Sequence, residues 1–207
     1  MKTDLPIENA IKKFSKLPGF GPRSARKIIL HFLKNKNIIS EFIANLQELE
    51  REVKVCLECH NLSTFEVCEI CSNENRERNK LCIVCDVDDI WSIEKSATFK
   101  GIYHSLGGSL SAVAGITPEK LNLASLFNRL TKNDFDEVIF ANNLSVEGAT
   151  TVFYIIDEIE SLKSQGIIKE SLIITELANG IPIGASLEYM DEGTLKVAFS
   201  SRKTLKY

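Results

Sequence analysis

The stretch Cys56-Leu-Glu-Cys59-His-Asn-Leu-Ser-Thr-Phe-Glu-Val-Cys68-Glu-Ile-Cys71 decides how this chain is organised. Two Cys-x2-Cys knuckles, separated by eight residues, bring four thiolates to one tetrahedral ion. Each knuckle grips the metal with two sulfurs, and a closed four-sulfur set leaves no open position for water, so the implied Zn²⁺ is structural, one per chain. The surrounding residues 54–80 are polar, rich in Glu, Asn and Arg, and almost without apolar periodicity. Hydrophobic burial cannot fold such a segment, whereas metal binding and folding are there a single equilibrium. His60 adjoins a ligand and is surplus to the set. A redox pair is the competing reading of Cys-x2-Cys. Cys82 and Cys85 repeat the spacing inside an apolar run, and strand alternation sends positions three apart to opposite faces. They are read as buried free thiols.

On the N-terminal side of the knuckles the pattern is helical. Ile7, Ile11, Phe14 and Leu17 recur at helical spacing, Pro18-Gly-Phe-Gly-Pro22 interrupts them, and Ala25, Ile28, Ile29, Phe32 and Leu33 continue on a second helix. Residues 40–53 carry a third, with Phe42, Ile43, Leu46, Leu49 and Val53 in register. The interrupting stretch, Leu17 to Lys27, has the layout of a helix-hairpin-helix. Gly19 and Gly21 permit a tight turn with positive torsions, and the amides that follow start a helix whose dipole favours an anion. Arg23, Arg26 and Lys27 surround that point. Such a hairpin holds a phosphate backbone without reading sequence; a plain helix-helix turn is the alternative.

Charge supports the nucleic-acid reading. The chain of 207 residues has a net charge of −3, yet residues 1–36 hold nine Lys/Arg against Asp4 and Glu8. The remainder is strongly acidic. A basic end on an acidic body points to a polyanion at one end. Apolar residues at 44% and charged residues at 26% are ordinary for a globular chain. No apolar run approaches a membrane span, and the N-terminus lacks a signal-peptide core, so a cytoplasmic location is expected.

C-terminal to the knuckles, strands alternate with helices. Leu81–Cys85, Glu137–Ala141 and Leu172–Thr175 read as buried strands, and helical patterns lie at about 87–95, 118–131 and 147–165. Thr117 and Pro118 open the second of these, and Gly166 stops the third. This order predicts an α/β domain with a mainly parallel sheet. Asp86, Asp88 and Asp89 follow the first strand and Glu147 follows the second, at the strand ends where such folds place ligands. Acids there either bind Mg²⁺ for phosphoryl chemistry, cap helices, or contact a basic partner. No Asp-x-Asp pair follows Ala141, which leaves two-metal catalysis poorly supported.

Taken together the chain resembles the RecR family of bacterial recombination mediators from end to end. Gly101-Ile-Tyr-His-Ser-Leu-Gly-Gly108, Ser145-Val-Glu-Gly148, Asn179-Gly-Ile-Pro-Ile-Gly184 and Leu187-Glu-Tyr-Met-Asp-Glu192 support the likeness. The resemblance implies a multi-domain α + α/β protein: a helix-hairpin-helix (1–53), a four-cysteine zinc finger (54–80), a Toprim domain (81–177) and a C-terminal oligomerisation segment (178–207). It further implies no catalytic activity and assembly into dimers or a ring-like tetramer around DNA. With RecO, and often RecF, such a protein helps load RecA onto single strands, a role expected in the cytoplasm at the nucleoid. Arg23 and Lys27 occupy the family's basic hairpin positions, and Glu147 an acidic position linked to RecO. Four positions depart from the family pattern. Members usually carry Glu, the domain's metal-binding acid, where Cys85 stands, and a second Glu at Ala149. They usually carry Arg and His in the stretch of Glu176 and Asn179. The alternative function is a Mg²⁺-dependent Toprim enzyme acting on nucleic acid.

Overall fold

A computed structural model describes residues 5–142, 145–178, 180–202 and 204. The chain divides into two compact units, Met1–Val53 and Lys54–Tyr207.

The first unit holds three helices: α1 (Leu5–Phe14), α2 (Pro22–Lys34) and α3 (Lys36–Glu52). Phe32 links them, packing edge-on to Phe14 at 6.0 Å and tilted on Phe42 at 5.3 Å. Only Ala25 and Ile29, both on α2, are buried in these helices. Helix α3 starts four residues before the expected position 40. Asn35 alone connects it to α2, its side chain donating to the His31 carbonyl at 2.9 Å, and half-buried Ile38 and Ile39 extend the apolar face backwards.

The second unit begins with a short antiparallel pair, β1 (Lys54–Val55) and β2 (Leu62–Ser63), and a single helical turn, α4 (Glu69–Ser72). An α/β layer follows: β3 (Glu77–Val84), α5 (Val87–Ser96), β4 (Gly101–Ser105), α6 (Leu123–Lys132), β5 (Glu137–Ala141), α7 (Val146–Ser164) and β6 (Ile173–Glu176). The strands run parallel in the order β4-β3-β5-β6. Alternation along β3 divides its side chains between two cores. Leu81 and Ile83 join Val138, Leu126, Leu130, Ile155 and Ile159 on one face, whereas Cys82 and Val84 join Ile90 and Tyr103 on the other. Helix α8 (Glu192–Ser200) closes the described chain, N-capped by Asp191.

Three elements of this second unit also differ from the sequence reading, each for a local reason. Strand β3 begins at Glu77 rather than Leu81, because Arg76 is pinned to Glu94 of α5 and to the carbonyls of Phe99 and Gly101. The pattern at 118–131 is not one helix. A 3-10 turn at Pro118–Lys120, which Thr117 precedes without a side-chain cap, is separated from α6. There Asn122 bonds through its amide to the Leu106 carbonyl at 2.9 Å and through its side chain to that of Ser105 at 3.0 Å, drawing the chain onto the end of β4. Strand β4 itself was not anticipated; its Gly, Tyr, His and Ser do not alternate, because all five residues are buried. Gly166 does end α7, at φ 69°.

Candidate metal centre, basic hairpin and acidic sheet edge

The four cysteines of the two knuckles converge. Their sulfurs all lie within 4.8 Å of one another and all four residues are buried. A tetrahedral zinc–thiolate site, with bonds of about 2.3 Å, needs sulfurs about 3.8 Å apart, and Cys59 Sγ and Cys68 Sγ are 3.5 Å apart. Only Val67 and Ile70 add apolar packing, so the sulfurs are the core of this segment. Contact with Cys68 together with burial pushes the Cys59 thiol up, contact with Cys59 and Cys68 pushes Cys71 up, and the same contacts pull Cys68 down. Sulfurs this crowded cannot all ionise by themselves, whereas a dication makes four thiolates the stable state. The residues therefore fit Zn²⁺, which supplies the cross-link that a hydrophobic core would supply elsewhere. Among the described residues no other group of three or more His, Cys, Asp or Glu side chains converges in this way.

The knuckles are built into the sheet rather than hung from it. The Ser105 amide donates to the Cys59 carbonyl at 2.9 Å, and Ile70 packs against Cys82, Val84 and Tyr103. His60, at φ 60°, reaches Ser125 Oγ of α6 at 2.7 Å and meets His104 edge-on at 5.2 Å. His60 is thus no ligand but a tie between the metal loop and α6. Arg78 donates to the Cys71 carbonyl, and Arg129 of α6 lies between Cys71 and β4. Sequence reasoning missed His104 and Arg129. The signal for Arg129 was present: it falls three residues after Leu126 and one before Leu130, on the buried stripe of an amphipathic helix. Cys82 and Cys85 are buried free thiols as read. Burial drives the Cys82 thiol up to about 12, and Cys85 Sγ sits 3.3 Å from Ser109 Oγ.

In the hairpin, Gly19 has φ 77° and makes the turn. Gly21 does not share it: at φ −98°, ψ 172° it is the extended N-cap residue of α2, followed by Pro22 at the first helical position. No side chain caps this end, so the amides of Arg23 and Ser24, in the first turn, have neither an intrahelical partner nor a side-chain cap. Arg23, Arg26 and Lys27 are exposed, three and four residues apart on one helix face. None of the three forms an ion pair among the described residues.

At the acidic edge, β3 and β5 end side by side, with Val84 paired to Ala141. Asp86 and Asp89 form a capping box on α5: Asp86 accepts from the Val87 amide at 2.7 Å, and Asp89 accepts from the Asp86 amide at 2.9 Å. Ser145, not Glu147, caps α7, accepting from the Gly148 amide at 3.0 Å. Glu147 is exposed in the first turn. Ala149 and Glu176 line a cavity of about 490 Å³ with Phe140, Val152, Leu177 and Val197. Asn179 lies outside the described residues.

Comparison with known proteins places this geometry. The RecR four-cysteine zinc finger domain matches residues 53–73, the Toprim domain residues 79–168 and the RecR C-terminal domain residues 180–203. Recombination protein RecR of Sinorhizobium fredii is 40% identical over 200 residues, covering 96% of both chains. That of Anaplasma phagocytophilum is 42% identical over 199 residues, covering 96% of this chain and 98% of its own.

The chain belongs to the RecR family.

The RecR zinc finger match spans all four cysteines, so the buried sulfur cluster is this family's structural zinc site. The Toprim match begins within β3 and ends just after α7, which takes in both acids of the α5 capping box and Glu147. No helix among the described residues is long and apolar enough to cross a membrane.

Proposed function

We propose that this RecR-family protein is a non-catalytic, DNA-binding recombination mediator that works through its hairpin. The observation that carries the reading is the start of α2: a helix N-terminus with no side-chain cap, beside three exposed cations that form no ion pair among the described residues. A phosphate there accepts from free amides, sits at the positive end of the dipole and pairs with Arg23, Arg26 or Lys27. None of these contacts reads a base, so binding is sequence-independent and driven by counterion release. Several copies of a weak hairpin on one DNA raise affinity by avidity, which a dimeric or tetrameric ring supplies. RecO, and often RecF, are the partners through which such a ring promotes RecA loading at the nucleoid. The division at 53, 80 and 177 assigns one task to each part: DNA to the hairpin, rigidity to the zinc finger, partner docking to the Toprim face, self-association to the C-terminal segment.

A mediator without chemistry is supported by the acidic edge. Asp86 and Asp89 use their carboxylates in the α5 cap, and a thiol, Cys85, follows β3 at the position where the resemblance puts the family's usual acid. Nuclease, ligase and primase assays with Mg²⁺ and Mn²⁺ are expected to show no turnover.

The direct test is charge reversal at the hairpin. Arg23→Glu and Lys27→Glu are each expected to weaken binding to unrelated DNA sequences equally and to reduce the salt slope by about one unit per lost phosphate contact. Fluorescence anisotropy across a salt series reads both. Wild-type affinity in both variants would move the DNA site off the hairpin.

A further inference from the structure

Arg129 is only 9% exposed, on the apolar stripe of α6. A guanidinium does not lose its proton in a protein, so it is buried as a cation and needs negative charge nearby. The ordinary source is weak here. Glu58 is 3.8 Å away, and its side chain is 42% exposed to solvent. Nη1 donates to a neutral acceptor, the Tyr103 carbonyl of β4. Nη2 lies between that carboxylate and a sulfur, 3.8 Å from Glu58 Oε2 and 3.9 Å from Cys71 Sγ.

The metal centre has the opposite deficit. Zn²⁺ held by these four buried thiolates would carry two surplus negative charges. The backbone donors that reach its sulfurs are neutral amides. The Cys68 amide reaches Cys56 Sγ at 3.3 Å, and the guanidinium of Arg129 is the cation directed at Cys71. Arg78 supports the same ligand from the other side by holding the Cys71 carbonyl.

We propose that Arg129 is the counterion of the zinc–thiolate centre. Its guanidinium balances the Cys71 thiolate with one nitrogen and holds the β4 backbone with the other. Metal binding and docking of the knuckles on the Toprim sheet are thereby coupled through a residue that lies 58 positions beyond its sulfur partner. Arg129 is a positioning residue, not a ligand, and groups of this kind tune metal affinity by about 10- to 100-fold.

The experiment uses the full chain, loaded with zinc, as wild type, Arg129→Gln, Arg129→Lys and Glu58→Gln. Competition with a chromophoric chelator gives zinc affinity, and the cobalt-loaded proteins give the thiolate-to-metal charge-transfer band. Arg129→Gln is expected to lose about 10- to 100-fold in zinc affinity and to shift the band, and Arg129→Lys to recover most of the affinity because it keeps the charge. Glu58→Gln should leave both readouts unchanged. Wild-type affinity with an unshifted band in Arg129→Gln would overturn the assignment. An equal loss in Glu58→Gln would also overturn it, since the carboxylate would then be the charge that matters. Should Arg129→Gln fail to fold, Arg129→Lys decides: a zinc affinity as weak as that of a ligand variant would make the guanidinium a purely geometric brace.

Discussion

Cys56, Cys59, Cys68 and Cys71 occupy positions that a hydrophobic core would otherwise take, and each has nothing apolar to fall back on beyond Val67 and Ile70. Replacing Cys59 or Cys68 by Ser exchanges a soft ligand for a hard one at a closed tetrahedral site. Either variant is expected to bind well under one zinc per chain and to be cut rapidly by protease near residues 54–80, measured by metal analysis and limited proteolysis. A metal-depleted variant with the wild-type melting profile would contradict a structural zinc. His104 gives a second single-residue expectation. It is fully buried, and burial pushes its imidazole down to about 3, with Arg129 and His60 opposing its charge and the bond to the Asn122 carbonyl only partly offsetting them. The unfolded chain therefore takes up the proton first. Proton uptake at His104 has no effect on stability above about pH 6.5, the ordinary imidazole value, and destabilises the fold progressively as pH falls from there toward 3. Its ring resonances are expected to stay those of neutral imidazole down to pH 5, whereas an ordinary midpoint would show that the ring is hydrated.

At the scale of elements, the helix opening of α7 leaves one carboxylate exposed and outside the cap. Ser145 caps the helix, Gly148 supplies the amide, and Glu147 stands exposed in the first turn, where the dipole stabilises its charge. Glu147→Ala is expected to leave zinc content and DNA binding intact and to weaken RecO binding. Glu147→Lys should weaken it further, because repulsion is added to the lost pair. Calorimetry with RecO measures this, and equal affinity for all three proteins would remove Glu147 from the partner surface. These elements also show what was legible beforehand. The knuckles, β5 and the ends of α5 and α7 follow from ligand spacing, apolar runs and caps, which are local signals. Strand β4 and the break before α6 were not legible, because Asn122 and the buried His104 answer to groups far along the chain. The same holds for Gly21: composition suggests a positive torsion, but Pro22 and the start of α2 require an extended N-cap.

At the scale of the whole molecule, the two units solve the burial problem differently. Unit Lys54–Tyr207 has a continuous apolar core and a metal cross-link. Among its described residues, unit Met1–Val53 has neither. Helices α1 and α3 bury no residue completely, and Phe42, Ile43, Leu46 and Leu49 are each more than half exposed. A cavity of about 410 Å³, lined by Ile7, Phe14, Phe32, Phe42, Ile43 and Leu46, opens on this apolar face. Three short helices with so little buried surface are marginal alone, since small units gain too little burial to offset chain entropy. In the proposed ring a second contact, besides that of the C-terminal segment, would set two copies of this unit face to face, cover the face with matching apolar residues and bring two basic hairpins into one assembly. Sedimentation is expected to show a dimer or larger species for the wild type, and Leu46→Asp, which places a charge on the face, should give a smaller one. The variant should retain its zinc, because the knuckles belong to the other unit, and should bind DNA with a shallower salt slope, because fewer hairpins engage one molecule. A wild-type monomer, or a Leu46→Asp protein of unchanged mass, would mean that the apolar face of α3 is not where copies meet.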